Sequence, residues 1–349
     1  MFGRLRTASR FLDRKIGWRR IGFALSISII LAAAVVLYRM LHDIDVGYLV
    51  EAMKSYELHE IVITSLFVAA GYFTLTFYDL FALRTIGRKE VPYRIAALAG
   101  FTSYSIGHNL GASVFTGGAV RYRIYSDWGL SAIEVAKICF VAGLTFWLGN
   151  ATVLGLGIAY APQAASAIDQ LPLWVNRAVA LVTLAVLATY VAWVWQKPRV
   201  IGRRDWEVTL PRGQLTLLQI VIGIVDLGFC AMAMYMLLPD DPHIDFVTVS
   251  VIFVSATLLG FASHSPGGLG VFDAAMLIAL WQFEKEEVLA GLLIFRLLYY
   301  MVPFALSLVV LGIRELWLGV RSAPSATAGA GQAAPNNVDK PAGGKCDTA

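Results

Sequence analysis

Charged side chains are scarce in this chain. Only 15% of its 349 residues are Asp, Glu, Lys or Arg, where ordinary soluble domains carry about a quarter, and the shortage excludes a water-facing surface over most of the length. Cysteine is scarcer still. Cys139 and Cys230 stand in apolar stretches and Cys346 near the last residue, a spacing that makes neither a disulfide framework nor a metal site. Familiar catalytic motifs are missing as well. No serine sits in a nucleophile-elbow context, no HExxH occurs, and no glycine-rich turn follows a strand and opens a helix. These gaps remove the sequence support for a serine hydrolase, a zinc protease or a nucleotide-driven pump. Neither cofactor nor metal is expected, no catalytic residue is assigned, and nothing points to nucleic acid.

What fills the chain instead is apolar. The hydrophobic share is 58% and the mean hydropathy +0.67, values that suit a lipid solvent. About twenty apolar residues span a bilayer core as a helix. Six runs qualify: 21–41, 61–83, 133–160, 173–195, 215–238 and 289–313. The first follows a basic segment and imitates a secretory signal, but its length and the missing cleavage site read as an anchor that stays. From Ser322 onward the chain is Ala, Gly, Pro and polar residues without periodicity, the composition of a disordered tail. The expected division is therefore a basic N-terminus at 1–20, a membrane domain at 21–318 and a tail at 319–349.

Charge asymmetry orients the spans, because Lys and Arg collect in short cytoplasmic loops. Arg4, Arg6, Arg10, Arg14, Lys15, Arg19 and Arg20 put the N-terminus inside, and loop 42–60, with Asp43, Asp45, Glu51, Glu57 and Glu60, belongs outside. Arg84, Arg88, Lys89 and Arg94 return the chain inside, as do Lys197, Arg199, Arg203, Arg204 and Arg212 later. Between residues 94 and 161 the chain must then cross an odd number of times. Run 133–160 is one crossing, so segment 95–130 enters and returns on the inner side. By the same reasoning segment 246–288 enters and returns on the outer side, between the acidic loop 239–245 and the basic end at Arg314 and Arg321.

Both segments carry a Gly-Gly pair in similar surroundings: LGASVFTGG at 110–118 and LGFASHSPGG at 259–268. Downstream, Glu134-Val135 matches Glu287-Val288, and the same interval onward reaches Phe146-Trp147 in one case and Tyr299-Tyr300 in the other. Such ordered landmarks indicate a duplicated unit. Two broken segments dipping from opposite faces bring their glycine tips together near the midplane, the inverted-repeat arrangement that builds substrate sites in transporters. The expected fold is thus an all-α polytopic membrane protein of about six transmembrane helices plus two re-entrant hairpins.

Polar residues at that depth are the candidates. Arg121 and Arg123 follow the first tip; they either grip an anionic headgroup through their guanidinium forks or anchor the cytoplasmic rim. Arg296 lies inside the last run, where an uncompensated charge costs at least about 2.5 kcal/mol. It needs a partner, either Asp273 or Asp226. Asp226, near the middle of run 215–238, relays a proton, answers Arg296 or sits protonated. Glu134 and Lys137 share a helix face and are expected to pair, Asp79 to neutralise Arg84, and Asn150 and Gln219 to join helices. His264, beside Ser263, Ser265 and Pro266, either is catalytic, couples a proton or an ion pair, touches substrate or satisfies broken backbone, the last two being the favoured readings.

Taken together, FTGGAVRYRIYSDWGLS, the later TFWLG, SHSPGGLGVFD and FRLLYYMVPF resemble the membrane domain of the lysylphosphatidylglycerol synthase/flippase family, a family with shorter stand-alone members, some tied to hopanoid lipids. The resemblance covers about residues 20–318. Its landmarks fall here on Gly117, Gly118, Arg121 and Arg123, and on Ser265 to Gly270 including Gly267 and Gly268, then Asp273, Arg296, Tyr299, Tyr300 and Pro303. It implies a lipid translocase of the bacterial inner membrane, with an anionic phospholipid or hopanoid-like lipid as substrate. A lipid-modifying enzyme or a second copy of the chain are the candidate partners. Lysine transfer is not implied, because in full-length relatives that activity belongs to a soluble C-terminal domain. A secondary transporter for a small anion and a non-transporting membrane partner are the competing readings.

Overall fold

The computed structural model of the chain describes residues 56–322, apart from 112, 198, 204, 205 and 264, together with 47, 51 and 54. The basic N-terminal segment, the first apolar run at 21–41, the tail beyond 322 and His264 lie outside the described residues.

Hydrocarbon cannot satisfy backbone N–H and C=O groups, so long apolar runs close them into helices. In chain order these are α1 (Leu58–Thr85), α2 (Tyr93–Leu110), α3 (Ser113–Ser126), α4 (Ala132–Tyr160), α5 (Pro162–Asp169) and α6 (Leu173–Gln196). A two-stranded antiparallel ribbon follows, β1 (Val200–Arg203) with β2 (Trp206–Thr209), and then α7 (Gly213–Tyr235) and α8 (Phe246–Ala262). A 3₁₀ turn (Pro266–Gly268), α9 (Val271–Ala279), α10 (Lys285–Phe295), a π-helical segment (Arg296–Met301) and α11 (Val302–Ser322) complete the described residues. Helices α1, α4, α6 and α7 and the stretch Lys285–Leu318 are long and apolar enough to cross a membrane, which makes the chain an all-α polytopic membrane protein. Five of the six apolar runs thus become long helices, and the nearly uncharged stretch 161–172 between two of them holds the short α5.

The helix starts are written locally. The Ser131 Oγ accepts from the Glu134 N–H and Glu134 accepts from the Ser131 N–H, a reciprocal cap that opens α4. Asp245 caps α8 by accepting from both the N–H and the hydroxyl of Thr248. The Glu134 carboxylate also receives Arg88 across the loop, with Nε 2.6 Å away. Its partner is therefore Arg88 rather than the expected Lys137, because the cap fixes the carboxylate at the helix start, beside the end of α1.

The same order of elements occurs twice: a long helix, a broken helical hairpin and another long helix, as α1, α2–α3, α4 and again as α7, α8–α9, α10–α11. Hairpin α2–α3 is antiparallel. A methyl group on Gly107 would meet the Ser113 carbonyl at 3.2 Å, and one on Gly117 the Ser103 carbonyl at 3.1 Å. The break between these helices is at Gly111, with φ 72° and ψ 177°. The expected Gly117-Gly118 break is not there; both residues lie within α3, where Gly117 serves close packing against α2. The second break does fall on its glycines, since Gly267, Gly268 and Gly270 have φ of 59°, 63° and 78°.

The hairpins enter the bundle from opposite ends. The base of α2–α3 is tied to the end of α11 through Asp127 and Arg314, beside the end of α1 and the start of α4. The base of α8–α9 lies at the other end, where Gly157 near the close of α4 is packed against Val251. There too the Tyr56 hydroxyl donates to the Leu237 carbonyl. Between the two halves, α4 crosses α7 at two glycines: a methyl group on Gly149 would stand 2.7 Å from the Gly223 Cα. The Gln219 amide donates to the Thr145 Oγ1 across that crossing at 2.8 Å. Asn150, expected to join helices likewise, donates to Phe146 of its own helix.

Candidate functional site

The two hairpin tips meet around a cavity of about 440 Å³. Gly107, His108, Gly111 and Ser113 reach it from the first hairpin, and Gly260, Ser265, Gly267 and Gly268 from the second. Helix α4 closes a side with Cys139, Gly143, Phe146 and Trp147, and Tyr300 of the π-helical segment lies at the far wall.

Most of the wall is aromatic and continuous. Trp147 packs edge-on to Phe146, Phe146 on Phe261, Phe261 on His108 and His108 on Tyr104, with ring centroids 5.4–5.8 Å apart. At the end of that row the Arg121 guanidinium lies over the Tyr104 ring, 4.8 Å from its centroid, an arrangement that holds a cation by the ring quadrupole. The first residues of α3, Ser113 and Val114, also line the cavity. Helix N-termini present unpaired N–H groups and a partial positive charge there, so the Arg121 side of the cavity suits an anion.

Arg121 is buried and held by Asp79 of α1 in a two-point pair, with Nη2 2.7 Å from Oδ1 and Nε 3.0 Å from Oδ2. The Tyr125 hydroxyl donates to the same carboxylate at 2.8 Å. Asp79 therefore answers Arg121, not Arg84 as expected: it points into the bundle and has no exposed surface. Arg123 departs from Arg121 because α3 is a helix, on which residues two apart diverge. It pairs with Asp127 and Glu315, and Arg314 bonds the same two carboxylates, closing a ring of four charges away from the cavity.

Arg296 is also engaged. Its Nε donates to the Asp273 Oδ1 at 2.9 Å, its Nη2 to Oδ2, and its Nη1 to the Gly267 carbonyl at 3.1 Å. Of the two partners weighed from sequence the fold uses Asp273, and the pair staples the second tip to the π-helical segment. Pro303 has no N–H to offer the carbonyl four residues earlier, that of Tyr299. The Tyr72 hydroxyl donates to that oxygen at 3.0 Å, and the Asn109 amide to the Tyr300 carbonyl at 3.2 Å.

Of the residues picked out by sequence, the cavity gathers Arg121, Gly267, Gly268 and Tyr300. Gly117, Gly118, Arg123, Arg296, Tyr299, Asp273 and Asp226 are not on its wall. Sequence reasoning gave Asp79 the wrong partner and missed Tyr104 and His108. A signal for the last two exists: a tyrosine and a histidine one helical turn apart, just before the break, in a stretch whose other polar residues are the small Thr102, Ser103, Ser105 and Asn109. Among the described residues no group of three or more His, Cys, Asp and Glu comes together to hold a metal ion.

The mouth of the cavity decides what reaches it. Val114, Phe115 and Trp147, all on the wall, are 71%, 80% and 61% exposed, and Trp147 stands midway along a helix long enough to cross a membrane. Apolar exposure at that depth faces lipid. Fold and cavity together define a multi-pass membrane protein with an anion-compatible, aromatic chamber between two broken hairpins.

Relatives agree with that class. An uncharacterised protein of Synechocystis is 32% identical over 249 residues, covering 70% of this chain and 76% of its own length. The inner membrane protein YbhN of Escherichia coli is 30% identical over 250 residues, covering 69% and 76%. Phosphatidylglycerol lysyltransferase of Staphylococcus aureus is 25% identical over 296 residues, which are 83% of this chain and 33% of that enzyme, its membrane part and not its catalytic domain. No protein-family model matches the chain. The chain belongs to the family of lysylphosphatidylglycerol synthase-like membrane domains.

Proposed function

We propose that the protein is a lipid translocase, passing the headgroup of a phospholipid or other polar or isoprenoid lipid between leaflets of a bacterial inner membrane. The two hairpins act as re-entrant segments, one from each face, with the N-terminus cytoplasmic. The observation that carries the reading is the pairing of the Arg121 side of the cavity with a mouth rimmed by exposed Val114, Phe115 and Trp147. A headgroup crossing hydrocarbon alone loses its water; the chamber replaces part of that water while the tails stay in lipid. Phosphate oxygens meet Arg121 and the start of α3, and the aromatic row accepts the glycerol or sugar portion. A small-anion transporter requires a chamber sealed from the bilayer, and the exposed rim argues against one.

A photoreactive group carried on a phospholipid headgroup tests this. It should label peptides around 103–115 and 257–272 in the reconstituted protein. Labelling confined to the two ends of the bundle, with none at the tips, refutes a headgroup path through the cavity.

A further inference from the structure

Other carboxylates within the bundle have cationic partners: buried Asp79 has Arg121, half-buried Asp273 has Arg296, and buried Glu315, at the base of the first hairpin, has Arg123 and Arg314. Asp226 differs. It sits near the middle of α7, 4% exposed, with Oδ2 accepting from the Tyr78 hydroxyl at 3.0 Å and Oδ1 buried without a hydrogen-bond partner among the described residues.

Among the described residues its surroundings contain phenols and a thiol but no cation. Tyr72 and Tyr78 face it from α1, Tyr104 from α2, Tyr299 from the π-helical segment and Cys230 from its own helix. Helix α8 has no titratable residue. Lys285, Glu286 and Glu287 occupy the first turn of α10, Glu134, Lys137 and Cys139 the early turns of α4, with Tyr160 at its end. Arg177 and Tyr190 lie on α6. Among the described residues no Lys, Arg or His pairs with Asp226, and its one hydrogen-bond partner is Tyr78. A carboxyl buried at membrane depth without a cation has one remaining way to balance its charge, which is to take up a proton.

We propose that Asp226 is a proton-binding site whose occupancy is coupled to headgroup occupancy of the cavity, so that a proton gradient drives translocation. The coupling half of the proposal rests on the lipid-translocase reading; the proton-binding half does not. The physical link is short. Tyr78, which holds Asp226, packs edge-on against Tyr104 with centroids 5.8 Å apart, and Tyr104 is the cavity ring beneath Arg121. A charged carboxylate holds the Tyr78 hydroxyl more tightly than a neutral one does. Binding or release of one proton at Oδ1 therefore changes how firmly Tyr78 is held against the cavity wall. No covalent bond changes; the proton is taken from water on one side and returned to water on the other.

Two readouts on the full-length reconstituted protein test this. The first is the infrared C=O stretch of a protonated carboxyl, followed against pH in wild type and in Asp226→Asn, an isosteric change that keeps an acceptor for Tyr78. A pH-dependent band that disappears in Asp226→Asn is expected; its absence from wild type, or its persistence in the variant, overturns the site. The second is the ratio of labelled-phospholipid leaflet exchange with and without an imposed pH gradient. A ratio of about fivefold or more in wild type, collapsing toward unity in Asp226→Asn and reduced in Tyr78→Phe, is expected. An equal ratio in wild type and Asp226→Asn overturns the coupling. If no lipid exchanges while the band titrates, translocation and its coupling fall and the proton site stands.

Discussion

Arg121 of α3 and Asp79 of α1, 42 positions apart, form a buried two-point ion pair, 2.7 Å from Nη2 to Oδ1. The pair fixes the first hairpin against α1 and presents one edge of a guanidinium to the cavity.

Removing the carboxylate leaves a buried cation with no counter-charge. Asp79→Ala is expected to destabilise the protein by about 3–5 kcal/mol, seen as a lowered midpoint in detergent unfolding. Replacing both partners by apolar residues, Asp79→Leu with Arg121→Met, should recover much of that loss. It should also abolish anionic headgroup labelling at the tips. A double variant no more stable than Asp79→Ala alone contradicts the assignment of the loss to a stranded charge.

Tyr72 supplies the donor that Pro303 withholds from the Tyr299 carbonyl. Tyr72→Phe should cost about 1–3 kcal/mol, the penalty for a buried unsatisfied acceptor. In a Pro303→Ala background an N–H becomes available to that carbonyl, and the same substitution should cost measurably less. Equal costs in both backgrounds would remove the link.

Asp245 gives a pH signature outside the spans. Its partial burial pulls the carboxyl upward, but the hydrogen bonds from the Thr248 hydroxyl and N–H outweigh that and hold it below the ordinary value. A depressed folded value means the cap stabilises above the unfolded value, about 3.9, and loses that contribution as pH falls through the folded one. Asp245→Asn keeps a capping oxygen without the titration. Thermal unfolding of this variant should fall less steeply on acidification than that of wild type; parallel curves would contradict the assignment.

The sequence carried much of this fold, and the reasons it stopped where it did are physical. Apolar runs of bilayer length announce helices because hydrocarbon permits little else. The tie between Arg296 and Asp273 was in reach because both belong to one hairpin and its following helix, and an intramembrane charge demands a partner nearby. The partner of Arg121 was not, since it arrives from α1, and only packing brings α1 beside α3. The two glycine pairs look alike as letters but serve different needs. Gly267 and Gly268 have positive φ, whereas Gly117 is helical and small so that α2 can approach. Composition does not distinguish these uses, which is why the first break was expected six residues late.

Leaflet exchange of labelled phospholipids tests lipid translocation most directly, with Gly143→Phe beside wild type. Gly143 lines the cavity, and a methyl group built there meets nothing within 4 Å, so a larger side chain at this position starts into open space in the chamber. Wild type should accelerate exchange over protein-free vesicles, and Gly143→Phe, folded and equally reconstituted, should lose that acceleration. Exchange as fast through the filled variant as through wild type would contradict passage by this cavity.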